Sequence, residues 1–115
     1  MAKDKDLSAK FANELFPGEL IRESFERVTC RFDTSQELPA YVAITDRRLL
    51  VINKRGFGHR SIAVELAQIV EVVAGGSFIP TLTLGTIGGQ RILFTSIMKD
   101  KIPVIQQAIG MARSR

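Results

Sequence analysis

Tyr41-Val42-Ala43-Ile44-Thr45-Asp46-Arg47-Arg48-Leu49-Leu50-Val51-Ile52-Asn53 decides the fold. Two apolar runs rich in Val and Ile flank one short polar step, Thr45 to Arg48. β-Branched residues favour a pleated, half-buried surface. Asp46 can accept a hydrogen bond from the backbone ahead of it and start a turn. The stretch reads as a tight hairpin with strands over 40–45 and 48–53.

Reading outward, the period-two pattern continues on both sides. Residues 21–32 alternate imperfectly, with a bulge expected where the apolar parity shifts at Arg27-Val28. Pro39 suits a strand start, where its missing N–H is tolerated. Further strands are predicted near 59–65, 69–74, 81–85 and 91–94, with a short link at Leu66-Ala67-Gln68. After Phe94 the period becomes helical. Ile102, Ile105, Ile109 and Ala112 share one face of a helix over 101–113. Asp100 is its expected N-cap, and Pro103 falls in the first turn, where it costs little. A second helix is predicted over 4–16, capped by Asp4 or Asp6, with Leu7, Phe11 and Leu15 on one stripe and Phe16-Pro17-Gly18 as its stop.

The chain of 115 residues has room for one core, and its 45 % apolar and 24 % charged composition suits a soluble domain. It contains no Trp, one Tyr and seven Phe. Cys30 stands alone, so no internal disulfide can form. No apolar run approaches the ~20 residues that span a bilayer, and no signal-peptide pattern is present. A cytoplasmic location, with peripheral contact to a membrane as its one variation, is the expectation. The net charge of +4 is uneven: residues 1–40 carry six Lys/Arg against eight Asp/Glu, and residues 41–115 carry ten against four.

Helix, seven successive antiparallel strands, helix: this order and several residues resemble the bacterial pleckstrin-homology-like (PH-like, GRAM-like) domains. The residues that carry the resemblance are Pro17-Gly18-Glu19, then Ile44-Thr45-Asp46-Arg47-Arg48-Leu49, then Ser61-Ile62 and Ile69, and the apolar C-terminal helix. The resemblance covers residues 17–113. It implies a mainly β fold with α: a seven-stranded antiparallel bent barrel capped by a C-terminal helix. The expected division is an N-terminal helix over 1–16 and a PH-like domain over 17–115. It also implies an interaction or assembly module. Eukaryotic PH domains often hold phosphoinositide headgroups with basic residues of the first inter-strand loop. Here that loop is Asp33-Thr34-Ser35-Gln36-Glu37, with two acids and no cation. Phosphate recognition needs cationic donors, which this loop lacks.

The residues themselves point away from catalysis and metal binding. His59 is the only histidine, and no sequence pattern supplies it with a nucleophile and an orienting acid. Cys30 reads as a buried core residue. One His and one Cys give no metal-ligand spacing, and the glycines at 75–76, 85 and 88–89 match turns rather than a phosphate loop. No cofactor and no small-molecule substrate are expected. Nucleic acid is disfavoured, because no strand face interleaves basic and aromatic residues.

Two binding candidates remain. In Lys54-Arg55-Gly56-Phe57-Gly58-His59-Arg60, Lys54, Arg55 and Arg60 can approach anionic headgroups while Phe57 inserts. Three cations contribute roughly 3 kcal/mol, enough for weak reversible binding. The alternative for this loop is a solvated hairpin tip with Phe57 folded back on the barrel. The stripe Leu7, Phe11, Leu15 and Phe16 packs either along the wall of its own barrel or against a neighbouring copy. The function expected from these readings is a non-enzymatic module that self-associates or binds another protein. The alternative is a weak peripheral binder of anionic membrane through residues 54–60.

Overall fold

The structure is a computed structural model of the 115-residue chain and describes residues 10–32, 37–53 and 61–114. Seven strands run β1 Ile21–Phe32, β2 Leu38–Thr45, β3 Arg48–Asn53, β4 Ser61–Glu65, β5 Ile69–Gly75, β6 Thr81–Thr86 and β7 Arg91–Ser96. One helix, α1, follows over Ile102–Arg113. All pairings are antiparallel, in the order β4-β3-β2-β1-β7-β6-β5. β4 and β5 therefore form the two edges of a bent, partly open barrel. The link Leu66–Gln68 is a 3-10 turn that straps this gap. Leu66 N donates to Arg47 O at 2.8 Å, and Ile87 N donates to Gln68 O at 2.9 Å.

The main core lies inside the bend. Phe25, Val42, Leu49, Val51, Leu82, Leu84 and Phe94 meet there beneath α1. Ile105 and Ile109, at 0 % and 2 % exposure, face inward as their 3.6-residue spacing requires. The bulge in β1 falls where the parity shift placed it: the register slips between Phe25 and Val28, and Arg27 takes a positive φ of 68°.

A second, smaller cluster lies on the outer face of β2–β3. Leu49 and Val51 point inward, while Ala43, Leu50 and Ile52 point outward beneath Phe11. Both faces of β3 are thus covered. That is why Leu49-Leu50-Val51-Ile52 is a continuous apolar run instead of an alternating one.

Three local expectations are corrected. The hairpin turn is built by Thr45, not Asp46: the Thr45 hydroxyl accepts from Arg48 N at 2.9 Å and from Arg47 N at 3.1 Å. A threonine hydroxyl at this offset can do what an aspartate does. Asp100 is not the cap of α1. It sits within a 3-10 turn over Lys99–Lys101, and α1 begins from Lys101 with no side-chain cap. Among the described residues of the helix expected over 4–16, Lys10 is helical and Ala12–Glu14 form a 3-10 turn, so the helical backbone ends before Leu15. Leu15 is already extended, with ψ of 142°, and the following Phe16 precedes Pro17, which disfavours helical backbone. Residues 1–9, and with them Asp4, Asp6 and Leu7, lie outside the described residues.

Candidate interaction surfaces

Pro17-Gly18-Glu19 and Thr45-Asp46-Arg47-Arg48 are brought together by the fold into one buried clasp. Gly18 adopts φ of 82°, which turns the chain so that Glu19 enters the space beside the β2–β3 turn. Arg48 Nη2 and Nε donate to the two Glu19 carboxylate oxygens at 2.5 and 2.9 Å. Thr45 Oγ1 donates to the same carboxylate at 2.8 Å, and Phe16 N donates to it at 3.0 Å. Arg48 Nη2 also donates to the Glu14 carbonyl at 2.6 Å, and its guanidinium lies 3.9 Å from the centre of the Phe16 ring. The Arg48 guanidinium holds the Glu19 carboxyl down at about 2, well below the usual carboxylate range. This is a structural arrangement: Glu19, Thr45 and Arg48 tie the N-terminal segment to the hairpin.

The sequence candidates fall in separate places. Lys54, Arg55, Phe57, His59 and Arg60 lie outside the described residues, as does Leu7. Phe11 is wholly covered by its own sheet, and Leu15 is half-buried against the same cluster. Phe16 is 53 % exposed, next to the exposed Leu20. Cys30 is buried in the core, and desolvation pushes its thiol up to about 11. At the end of the first inter-strand loop, Glu37 accepts hydrogen bonds from the Thr95 and Thr29 hydroxyls, which hold its carboxyl below its ordinary value. Gly76 and Gly89 have φ of 90° and 87°, as turn residues do. Among the described residues no group of His, Cys, Asp or Glu is placed to hold a metal, and no helix is long and apolar enough to cross a membrane.

Two features escaped the sequence reading. The first is the β5–β6 tip. A side chain on Gly76 would meet the Ile79 carbonyl oxygen at 2.0 Å, so glycine is required and the turn is tight. It displays Phe78 at 98 % exposure and Ile79 at 58 %. Val70 and Val73 of the edge strand β5 are also about half exposed. The available signal was that Val72 to Gln90 contains no charged residue.

The second feature is a groove of about 160 Å³ between α1 and the β2–β3 hairpin. Its apolar wall is made by Ile44, Leu66, Val104, Ala108 and Met111. Arg22, Glu23, Asp46 and Gln107 add polar groups around it. The groove exists because α1 rests on the link Leu66–Gln68 and leaves the hairpin turn uncovered.

A bent seven-stranded antiparallel sheet whose open barrel is plugged by one C-terminal helix defines a pleckstrin-homology-like domain, a class of interaction modules. The chain belongs to the bacterial PH domain family, whose profile matches residues 10–110. The match begins ahead of Pro17, so it includes Phe11 and the turn that docks on β2–β3. Solved structures support the fold. The Vps36 N-terminal PH domain is 18 % identical with a TM-score of 0.65, over 87 % of this chain and 83 % of that one. A DUF1696-family protein with a pleckstrin-homology domain from Shewanella loihica is 19 % identical with a TM-score of 0.64, over 95 % and 92 %. The C-terminal domain of an unknown protein from Leishmania infantum is 16 % identical with a TM-score of 0.63, over 97 % and 98 %. No curated protein matches the chain.

Proposed function

We propose that this chain is a non-enzymatic assembly module that associates with further copies of itself through protein–protein contacts. The observation that carries the reading is the exposure of four apolar side chains, Val70, Val73, Phe78 and Ile79, along β5 and its tip. They lie on and beside β5, an edge strand whose sequence Ile69–Gly75 contains a single charge, Glu71. Edge strands of isolated domains are usually blunted by lysine, proline or a covering element. The seven residues of β5 contain neither lysine nor proline, and only Glu71 and a bulge between Ile69 and Glu71 interrupt it. Phe16 and Leu20 add exposed apolar area elsewhere on the N-terminal segment. The module acts in the cytoplasm and needs no cofactor in this reading. Light scattering on the intact chain tests it: the mass should rise above the 12.7 kDa of one copy as concentration increases. A constant single-copy mass at high micromolar concentration would refute self-association.

A second reading is weak, peripheral binding to anionic membrane through Lys54, Arg55, Phe57 and Arg60. It is favoured by the charge distribution, ten Lys/Arg against four Asp/Glu over residues 41–115. Attraction of exposed cations is screened within about 8 Å at physiological salt. Co-sedimentation with anionic vesicles should therefore occur at low salt and vanish at high salt. Headgroup-specific binding that survives high salt would contradict this reading.

A further inference from the structure

We propose that two copies of this chain join at β5, strand to antiparallel strand, so that the sheet of one continues into the sheet of the other. The inference rests on the self-association reading and names its contact. Among the described residues β5 pairs only with β6, as the last strand of the sheet. An edge strand turns the N–H and C=O of alternate residues outward, where they can take up a further strand. From Val70 to Gly75 every residue but Val72 is exposed.

Glu71, the one charge of β5, decides what such a strand meets. Its side chain does not stand at the edge. It lies back across Gly85 of β6, where an added Cβ would come within 2.9 Å of Glu71 Oε1, and reaches Arg91 of β7 at 3.7 Å. Gly85 pairs with both Glu71 and Arg91, so the three residues form one row across the sheet. The charge is thereby drawn inward and held by a cation of the same chain. The edge left behind is neutral and rich in valine. A basic segment gains little there. The complement is a neutral, β-branched strand, and β5 is itself one.

Symmetry and charge then fix the register. A two-fold axis normal to the sheet sets like faces opposite each other, so it must pass through a residue. Through Glu71 it would bring two carboxylates face to face, which is destabilising. The bulge between Ile69 and Glu71 confines the regular part of β5 to Glu71–Gly75. Val73 is the midpoint of that stretch, and an axis there pairs all of it. Val73 then meets Val73 of the second copy, and Glu71 lies opposite Gly75, which has no side chain to crowd it. Such a contact is isologous and closes at two copies.

The test uses the intact chain with substitutions at Val73 and Val70, which are 53 % and 50 % exposed. The mass of the unchanged chain should rise with concentration and level off at twice the 12.7 kDa of one copy. Val73→Lys and Val73→Glu each set like charges against each other on the axis, so each alone should stay a single copy. Mixed in equal amounts they should pair. Val73→Cys should cross-link on mild oxidation, because residues directly opposite lie about 4.5–5.5 Å apart between Cα atoms, within the span of a disulfide. Val70→Cys should not, since its two copies would stand about 20 Å apart. The native Cys30 is buried in the core and stays silent. If mass rises but neither charge at Val73 alters it, the copies meet elsewhere: self-association stands and the β5 contact falls. The contact also falls if the Lys and Glu variants fail to pair, if Val70→Cys cross-links as readily as Val73→Cys, or if mass climbs past two copies without levelling. If the intact chain stays a single copy at high micromolar concentration, both readings fall.

Discussion

Glu19 and Arg48 show how a few residues can identify a family without forming a binding site. Their side chains are 3 % and 8 % exposed, so both charges are almost fully withdrawn from water. A buried ion pair has little net value over an apolar pair, but removing one partner leaves the other uncompensated. Arg48→Ala is expected to cost about 3–5 kcal/mol in urea unfolding. Replacing both together, Glu19→Leu with Arg48→Met, should cost much less. Equal losses for the single and double variants would show that the clasp is not a coupled unit. Acid provides a second handle. The folded carboxyl of Glu19 titrates at about 2, below its ordinary 4.5, so folding favours the ionised form. Its stabilisation is complete above about pH 4.5 and is lost as pH falls toward about 2. Glu19→Gln should flatten the stability profile within that window; an unchanged slope would assign acid sensitivity to other carboxylates. The motif residues were legible in sequence, but their pairing was not. Glu19 and Arg48 are 29 positions apart, and nothing local says that they meet. The turn residue was misassigned for a related reason: Thr45 and Asp46 both suit a side-chain-to-backbone bond, and only the fold selects the threonine.

At the scale of elements, period and turn chemistry carried most of the information. β1, β3 and α1 fall within one or two residues of the ranges that alternation and helical spacing predict. Ile105 is completely buried, and Ile105→Ala should cost roughly 2–5 kcal/mol with the strands still formed. A loss below 1 kcal/mol, on the same scale, would mean that α1 does not plug the barrel. The bulge makes a prediction of the opposite sign. Arg27 is an exposed non-glycine residue at φ of 68°, a conformation that costs an L-residue about 1–2 kcal/mol. Arg27→Gly relieves this strain but adds freedom to the unfolded chain. The expected balance is neutral to about 1 kcal/mol more stable, read as a higher denaturant midpoint. A clear loss would indicate that the Arg27 side chain offsets the strain. The N-terminal segment was harder to read. Its apolar stripe has the same spacing whether it covers its own barrel or a neighbour. The deciding clue lay elsewhere, in Leu50 and Ile52, which would face solvent if nothing covered the outer side of β3.

The whole molecule is organised as one sheet with apolar cover on two sides. α1 closes the inner face, and the segment ending at the Glu19–Arg48 clasp closes the outer face of β2–β3. The two covers are unequal. The inner cluster joins all seven strands, whereas the outer one holds Phe11, Ala43, Leu50 and Ile52, with Leu15, Ile21 and Tyr41 beside them. Lys10 supports the cover from its edge, its ammonium 5.0 Å from the centre of the Tyr41 ring. Deleting residues 1–16 should therefore leave the barrel folded but weaken it. Loss of a buried Phe alone costs about 3–5 kcal/mol, and for a domain near 100 residues each kcal/mol lowers the melting temperature by about 4–8 °C. The β-sheet circular-dichroism signal should persist, while the uncovered Ala43, Leu50 and Ile52 should bind an apolar dye that the intact chain does not. Solution mass separates the two roles open to this segment. If it serves only as a cover, the truncated chain keeps whatever solution mass the intact one has, because the exposed side chains of β5 and its tip are untouched. If Phe16 and its neighbours also bridge copies, the mass falls to a smaller assembly or a single copy. An unchanged melting temperature with no dye binding would refute the cover, and would mean that the outer cluster contributes nothing to holding β2 and β3 in place.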